Sequence, residues 1–359
     1  MTTETPQLND HKQNCVSASA KGKPAYIMPS DSNFAAGKAE YPPMHKGEFD
    51  TSQTISYEQG YAIRGLAMIM IIFVHSINEY EWYNSTLSKI SLIPLFGTFG
   101  CSLFFFMSGY GIFNSLLKKG REIKYDYLLA QIKKILIPVA VVYVINSIIL
   151  PYTLTYNDIS IDHSNFFTLT LPEGTDIWFI KIILFDYLTT FFLFKHANDT
   201  KRQLTYIAIT QAVLIVVLYL LKAGSYWYVS NLCFVLGALH STVPIFKKKY
   251  LTTSIFVFIA FYLCMANGIK SAPIQILGNI TFCTIIIFAT SKKTNWPKWL
   301  CFIGKNSLLY YLLNIPIMLL IPSSNMHTSI YFIANIFFTT ISIFIYNKMA
   351  ELNKNRYNQ

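Results

Sequence analysis

Two ionisable side chains, Arg64 and His75, lie inside one apolar stretch, which reads YAIRGLAMIMIIFVH from Tyr61. An ionisable group at membrane depth costs about 2.5–3.5 kcal/mol on insertion scales, so each of them needs an explanation. Eleven positions separate the two residues. In an α-helix that is three turns plus roughly 20°, with a rise of roughly 16 Å. We therefore expect both side chains on one helix face, the cation near one membrane surface and the imidazole towards the other.

A simpler explanation exists for each residue alone. Arg64 lies near the start of the run, where a cation can extend to the lipid headgroups. His75 lies near the other end and would then be an interfacial histidine whose hydrogen bonds are satisfied. The shared face favours a substrate path instead, because an imidazole can take a hydroxyl proton at neutral pH.

The composition is that of a membrane protein. Of 359 residues, 53% are hydrophobic and 13% are charged, against about 25% charged in soluble domains. The net charge of +11 is scattered between apolar runs, and no basic helix with interleaved aromatics appears, which excludes a nucleic-acid partner. The six cysteines show no CxxC or CxxH spacing, so we expect no disulfide framework, no metal site and no bound cofactor.

About ten apolar runs of bilayer length predict an all-α, polytopic integral membrane protein. Residues 1–57 are polar and predict a disordered cytoplasmic tail, residues 58–348 a ten-helix membrane domain, and residues 349–359 a short cytoplasmic tail. After the first run, the others lie near 92–113, 135–151, 177–194, 204–221, 226–246, 251–268, 272–290, 302–321 and 328–347.

The loop charges predict the orientation. With the N-terminus inside, the inside loops hold eighteen Lys and Arg, and the outside loops hold three, at Lys89, Lys222 and Lys270. Basic residues concentrate on the cytoplasmic side of membrane proteins. We therefore expect both termini in the cytoplasm and a multi-pass location in the cell membrane (inner or plasma).

Three further apolar stretches contain small or polar residues. They read FGCSLFFFMSGYGIF from Phe99, DIWFIKIILFDY from Asp176 and IGKNSLLYYLLNI from Ile303. Small residues let membrane helices approach closely. Helix packing is therefore the favoured role of the glycines in and beside the first stretch, which are Gly97, Gly100, Gly109 and Gly111.

Taken in order, R-x10-H, FFxxSGY, WF and IGxNSLxxYL resemble the membrane acyltransferase-3 family over residues 57–320. The resemblance implies transfer of an acyl group, usually acetyl, from cytoplasmic acyl-CoA to the glycans of surface polysaccharides or glycolipids. The family's arginine and histidine correspond to Arg64 and His75. Many members have an acidic residue where this chain has Ser102 and a histidine where it has Asn314, which suggests a different acceptor.

The resemblance also implies roles for individual residues. Arg64 would hold the donor, and His75 would deprotonate the sugar hydroxyl or first accept the acetyl group itself. The candidates to pair with the CoA phosphates are Lys118, Lys119, Arg121, Lys133 and Lys134. The further donor-site or acceptor-site candidates are Ser102, Ser108, Gly109, Asp176, Trp178, Lys181, Asn306, Ser307 and Asn314.

The alternative function is transport of a polysaccharide or a lipid-linked precursor. Ten spans with an intramembrane arginine and histidine also suit a carrier. Against it, the sequence has no evident inverted repeat and no matching Gly/Pro-broken spans, which transporters often have.

Overall fold

The computed structural model describes residues 55–79, 93–154, 178–197, 199–243, 248–291, 295–321 and 328–357. The predicted N-terminal tail and Asp176 lie outside the described residues, the tail almost entirely. The described part of the chain is helical and contains no strand. This confirms the all-α prediction.

Eleven α-helices and one short 3₁₀-helix make up these ranges. The first five are α1 (Tyr57–Glu79), α2 (Ile93–Lys119), α3 (Tyr125–Leu154), α4 (Trp178–His196) and α5 (Thr200–Leu220). The 3₁₀-helix Ser225–Trp227 precedes α6 (Leu232–His240). The remaining helices are α7 (Lys248–Ala266), α8 (Ala272–Thr290), α9 (Lys298–Lys305), α10 (Ser307–Leu320) and α11 (Thr328–Tyr357).

Six of the described helices are long and apolar enough to cross a membrane. Their candidate spans are Tyr57–Ile77, Leu95–Lys119, Tyr125–Val144, Thr200–Leu220, Ala272–Thr290 and Ser329–Leu352. This agrees with a polytopic membrane protein. The number of ten spans and the inside location of both termini stay predictions.

Helices α1 and α2 form the centre of the bundle. Within the candidate spans of these two helices, 67% and 72% of residues are buried, against 17% in α3 and in α5. Helix α1 packs against α2 and α9 most extensively, and also against α8, α10 and α11. The peripheral helices present apolar side chains outward, as a lipid environment requires.

Glycines bring the backbones of α1 and α9 together beside Arg64. A Cβ atom at Gly304 would lie 1.7 Å from the Tyr61 carbonyl oxygen, and one at Gly65 would lie 2.2 Å from that of Leu300. No side chain fits at either position, so the small residues permit this contact. Helix α9 therefore braces the part of α1 that carries Arg64.

The predicted packing role of the glycines in α2 holds for some of them. A Cβ at Gly109 would lie 2.0 Å from the Phe234 carbonyl oxygen of α6, and one at Gly100 would lie 2.7 Å from that of Ala67 in α1. Gly97 makes only ordinary contact with Val74, at 3.5 Å. At Gly111 a Cβ would meet nothing within 4 Å, so the packing interpretation is wrong for Gly111.

Two of the predicted runs are interrupted. In the run 226–246 a non-helical turn, Tyr228–Asn231, separates the 3₁₀-helix from α6, which has only nine residues. Nine residues extend roughly 13 Å, well short of the ~30 Å hydrocarbon core. The run 302–321 breaks between α9 and α10, at Asn306. Each of these two runs is therefore divided between two helical elements.

The turn Tyr228–Asn231 is tolerated inside a helical bundle because it is buried. Each of its residues is at most 5% exposed, so lipid does not reach this backbone. The Asn279 side chain of α8 donates a hydrogen bond to the Val229 carbonyl oxygen at 3.1 Å. Irregular backbone at membrane depth is tolerated where protein encloses it in this way.

Candidate active site

His75 and Asn314 form a direct hydrogen bond between α1 and α10. The distance from His75 Nδ1 to Asn314 Oδ1 is 2.9 Å. Helix α1 is continuous from Tyr57 to Glu79, so the condition for a shared face of Arg64 and His75 is met. Sequence positions 239 residues apart thereby meet at one side-chain contact.

The orientation of the Asn314 amide is fixed by its other hydrogen bonds. Its Nδ2 donates to the carbonyl oxygens of Tyr310, at 2.9 Å, and Tyr311, at 2.7 Å. Turning the amide over would set Oδ1 against two carbonyl oxygens, so Oδ1 is the atom that faces His75. A carbonyl-type oxygen only accepts, so Nδ1 of His75 carries the proton.

This arrangement selects one tautomer of His75. A neutral imidazole with its proton on Nδ1 has a lone pair on Nε2. No described residue forms a hydrogen bond with Nε2. The half-buried His75 ring is therefore oriented at one nitrogen and available as a base at the other.

Arg64 is a half-buried cation without a hydrogen bond or ion pair to any described residue. The Tyr187 hydroxyl of α4 interacts electrostatically with the guanidinium. The same hydroxyl forms a side-chain hydrogen bond with Ser108 of α2. Ser108 and Arg64 thus share Tyr187 as an interaction partner.

A series of polar side chains connects Arg64 with the basic end of α2. Tyr127 of α3 forms a side-chain hydrogen bond with Ser115 and lies within electrostatic range of Tyr187. The Lys119 ammonium lies over the Tyr127 ring, 5.3 Å from its centroid. The five basic candidates near this end are all exposed, namely Lys118, Lys119, Arg121, Lys133 and Lys134.

Ser102 lies in a buried group of hydroxyls between α2 and the turn Tyr228–Asn231. Its hydroxyl donates to the Thr98 carbonyl oxygen at 2.8 Å and lies 3.1 Å from the Ser230 hydroxyl. Ser230 in turn bonds to the same carbonyl oxygen at 3.0 Å. These bonds give Ser102 a structural explanation, the attachment of the turn to α2.

Trp178 and Lys181 belong to a group of rings at the start of α4. The ring centroid of Trp178 lies 5.5 Å from that of Tyr226 and 5.9 Å from that of Trp227. The Lys181 ammonium lies over the Trp227 ring, 5.6 Å from its centroid. We call Trp178, Lys181, Tyr226 and Trp227 the aromatic cluster.

The remaining candidates in the described part of the chain are Asn306, Ser307 and Gly109. Asn306 joins α9 to α10, where its side chain donates to the Phe302 carbonyl oxygen at 2.9 Å and accepts from Asn347 at 3.0 Å. Ser307 follows it as the first residue of α10. Gly109 serves the contact between α2 and α6, and Asp176 lies outside the described residues.

Sequence reasoning missed a buried polar pair between α4 and α5. Gln211 donates from Nε2 to Asp186 Oδ1 at 2.6 Å, and the two residues are 1% and 0% exposed. Asp186 Oδ2 and Gln211 Oε1 have no hydrogen-bond partner among the described residues. A single acidic residue within an apolar run was the signal that could have identified Asp186.

The comparisons with known proteins give one match. Residues 62–347 match a family model described as an acyltransferase domain. The matched range includes His75, Asn314, Arg64 and the aromatic cluster. Searches of curated proteins and of solved structures each returned no match.

Proposed function

Because the chain belongs to the acyltransferase-3 family, we propose that it is a membrane O-acetyltransferase. It moves acetyl, or another short acyl group, from cytoplasmic acyl-CoA to a sugar hydroxyl of a surface polysaccharide or glycolipid. The family membership supports acyl transfer in a membrane. The donor, the acceptor and the residue roles below are our proposal.

The hydrogen bond between His75 and Asn314 is the observation that carries the proposal. With Nδ1 occupied, Nε2 takes the proton of the acceptor hydroxyl while the hydroxyl oxygen attacks the thioester carbonyl carbon. The carbon–sulfur bond breaks, and the CoA thiolate leaves with the proton from the imidazolium. Sugar hydroxyl and thioester thereby become ester and thiol, and His75 returns to its neutral form.

The absence of a hydrogen-bond or ion-pair partner for Arg64 among the described residues supports a donor-binding role. A half-buried guanidinium without a counter-ion favours an anionic or strongly polar ligand group. Acyl-CoA carries phosphates and amide carbonyls along a narrow arm, and Arg64 engages one of them. Tyr187 and Ser108 add hydroxyl groups at the same level.

The donor enters from the end of α2 that carries the exposed basic residues. Lys119, Tyr127 and Tyr187 form a polar series from that end to Arg64. Lys118, Arg121, Lys133 and Lys134 are exposed nearby in sequence and pair with CoA phosphates by charge. The excess of Lys and Arg in these loops supports a cytoplasmic location.

The alternative function remains export of a polysaccharide or a lipid-linked precursor. The buried non-helical turn Tyr228–Asn231 favours it, because transporters use broken helices at their binding sites. A carrier has no use for a histidine oriented to act as a base, and it does not cleave a thioester. These differences make the two functions separable.

The test is thioester cleavage by purified protein in detergent. We expect the protein to bind acetyl-CoA and to release free CoA slowly, and faster when a glycan acceptor is added. Chromatography measures the CoA released, and a monodisperse elution profile establishes that the protein is folded. Folded protein that shows no binding at millimolar acetyl-CoA would contradict the enzyme and favour the transporter.

A further inference from the structure

The aromatic cluster is packed against the interior of the bundle. Its Trp178 ring contacts Phe179, with 5.8 Å between centroids. Phe179 packs on Phe104 at 5.8 Å and on Phe105 at 5.1 Å. These two phenylalanines lie near the midpoint of α2.

A continuous chain of contacts joins the aromatic cluster to His75. The Phe179 ring lies 5.6 Å from the Tyr311 ring of α10. The Tyr311 carbonyl oxygen accepts a hydrogen bond from Asn314, which holds His75. The cluster and the proposed base therefore share supporting residues.

The turn that follows the aromatic cluster contains a side-chain amide without a hydrogen-bond partner among the described residues. Asn231 lies four residues after Trp227 and is 0% exposed. Neither its Nδ2 nor its Oδ1 has a hydrogen-bond partner among the described residues. Burying such a group is costly unless something satisfies it, and Asn231 therefore adds an unsatisfied amide to the turn that follows the aromatic cluster.

Tyr226 gives the aromatic cluster an accessible face. Its side chain is 47% exposed, whereas Trp178 and Trp227 are half-buried. A Cβ atom at Gly224 would lie 2.4 Å from the Tyr226 ring, so glycine at that position lets the ring fold back beside Trp178. Rings that only anchor a protein at headgroup level lie at the membrane interface, and this cluster instead continues to the middle of α2.

Resting on the proposed function, we infer that the aromatic cluster binds a pyranose ring of the acceptor. The apolar C–H face of the sugar stacks on the indole rings, which supply rigid contact area. The Lys181 ammonium, which lies over the Trp227 ring, meets its hydroxyl groups, as the few polar groups of a binding site do. The hydroxyl to be acylated then lies on the side of the cluster nearest Phe179 and Tyr311, the residues that connect it to the pair of Asn314 and His75.

The first test compares tryptophan variants by the Michaelis constants of both substrates. The acceptor probe is surface polysaccharide extracted from the producing cells and stripped of its esters with mild alkali. We expect Trp227→Ala to raise the acceptor KM about fivefold or more, the size of a lost aromatic contact, and to raise it more than the acetyl-CoA KM. Trp227→Phe keeps a ring and retains most of the affinity.

Trp299 supplies the matched control. It lies on α9, away from the aromatic cluster, and is 60% exposed. Trp299→Ala leaves both Michaelis constants unchanged. An unchanged acceptor KM in folded Trp227→Ala overturns the inference, while the enzyme itself stands because the wild type still transfers acetyl. If Trp227→Ala does not fold, Lys181→Met replaces it, with the same expected rise in acceptor KM.

A binding measurement keeps the test independent of catalysis. In the His75→Ala variant, the same polysaccharide should change the tryptophan fluorescence in a saturable way. The change should become smaller at a similar midpoint when Trp227→Phe is added, because this variant still binds but has lost one of the two indoles of the cluster. Absence of any saturable change contradicts the inferred site whatever the protein catalyses, whereas a saturable change without thioester cleavage in the wild type contradicts only the proposed function.

Discussion

At the scale of single residues, the proposed chemistry depends on which nitrogen of His75 is free. Asn314 decides this, because its amide is held by two carbonyl oxygens of α10 and can only accept from Nδ1. The histidine that many acyltransferase-3 members have at this position would also bring an imidazole nitrogen near His75. Asn314 supplies the acceptor that orients the His75 ring and, unlike a histidine, does not itself titrate near neutral pH.

Substitutions of Asn314 should separate orientation from stability. Asn314→Leu removes the acceptor for Nδ1, and leaving such a donor without its partner costs about 1–3 kcal/mol, or roughly 10–100-fold in rate if the cost falls on catalysis. We expect kcat to fall by that amount with only a modest drop in the unfolding temperature, because the Nδ1–H of the half-buried His75 is the group that loses its partner. Asn314→Asp keeps one oxygen as the acceptor for Nδ1, but its second oxygen lies against the carbonyl oxygens of Tyr310 and Tyr311. This variant should therefore retain more activity than Asn314→Leu and unfold at a lower temperature. Equal activity of the two variants would contradict the orienting role.

Substitution of Arg64 by lysine tests whether a planar guanidinium is required. Arg64→Ala should cripple transfer by weakening donor engagement, which a raised acetyl-CoA KM reports. Arg64→Lys keeps the charge but loses the two-pronged hydrogen bonding of the guanidinium, so it should restore activity only in part. Full activity of the lysine variant would instead favour the simpler explanation that Arg64 extends to the headgroups.

At the scale of the helices, the pair of Asp186 and Gln211 fastens α4 to α5. No described cation lies within ion-pair distance of Asp186, and a lone carboxylate in this setting is costly. Asparagine at this position would still accept from Gln211 Nε2 and would also donate to Gln211 Oε1, which has no described partner.

Asp186→Asn should therefore be at least as stable as the wild type. Asp186→Leu leaves the Gln211 amide buried without a partner, and such a loss costs about 1–3 kcal/mol. Thermal unfolding of the three proteins in detergent measures the difference. An asparagine variant as unstable as the leucine variant would mean that the negative charge itself is needed, as it would be for a bound cation.

The sequence predicts a helix well when the backbone hydrogen bonds of that segment lie within the segment itself, and poorly when they come from distant side chains. The apolar runs that became α1, α2, α5 and α8 are recognisable because a membrane helix satisfies its own backbone. The break at Tyr228–Asn231 depends on Asn279, fifty residues away, which bonds to the turn. A hydropathy pattern contains no such tertiary information.

The same limit applies to the candidate site. The shared face of Arg64 and His75 follows from helix geometry and a spacing of eleven residues. The roles of Asn314, Tyr187 and Trp227 depend on which helices become neighbours, and the sequence gives no direct sign of that. Asn314 was identified as a departure from the family pattern, and only the fold explains what it contacts.

At the scale of the whole molecule, the predicted orientation can be tested with single cysteines. In a background without the six native cysteines, Ser271→Cys lies at the exposed start of α8, where the serine side chain makes no capping bond. Glu122→Cys lies in the exposed turn between α2 and α3. In intact cells whose outer barrier has been permeabilised, an impermeant maleimide should label the first and not the second. The reverse pattern would place the basic end of α2 outside and contradict a cytoplasmic donor.

The central claim is that His75 acts as the base in acyl transfer. Its most direct test is transfer of labelled acetyl from acetyl-CoA to de-esterified surface polysaccharide by His75→Ala. Losing a general base costs ~10²–10⁴-fold in rate, so transfer should fall at least a hundredfold in protein that inserts and elutes like the wild type. Ser76→Ala is the control, because Ser76 is buried beside His75 and its hydroxyl has no partner among the described residues. We expect an active Ser76→Ala and an inactive His75→Ala, and a folded His75→Ala with wild-type transfer would contradict the role of His75 as the base.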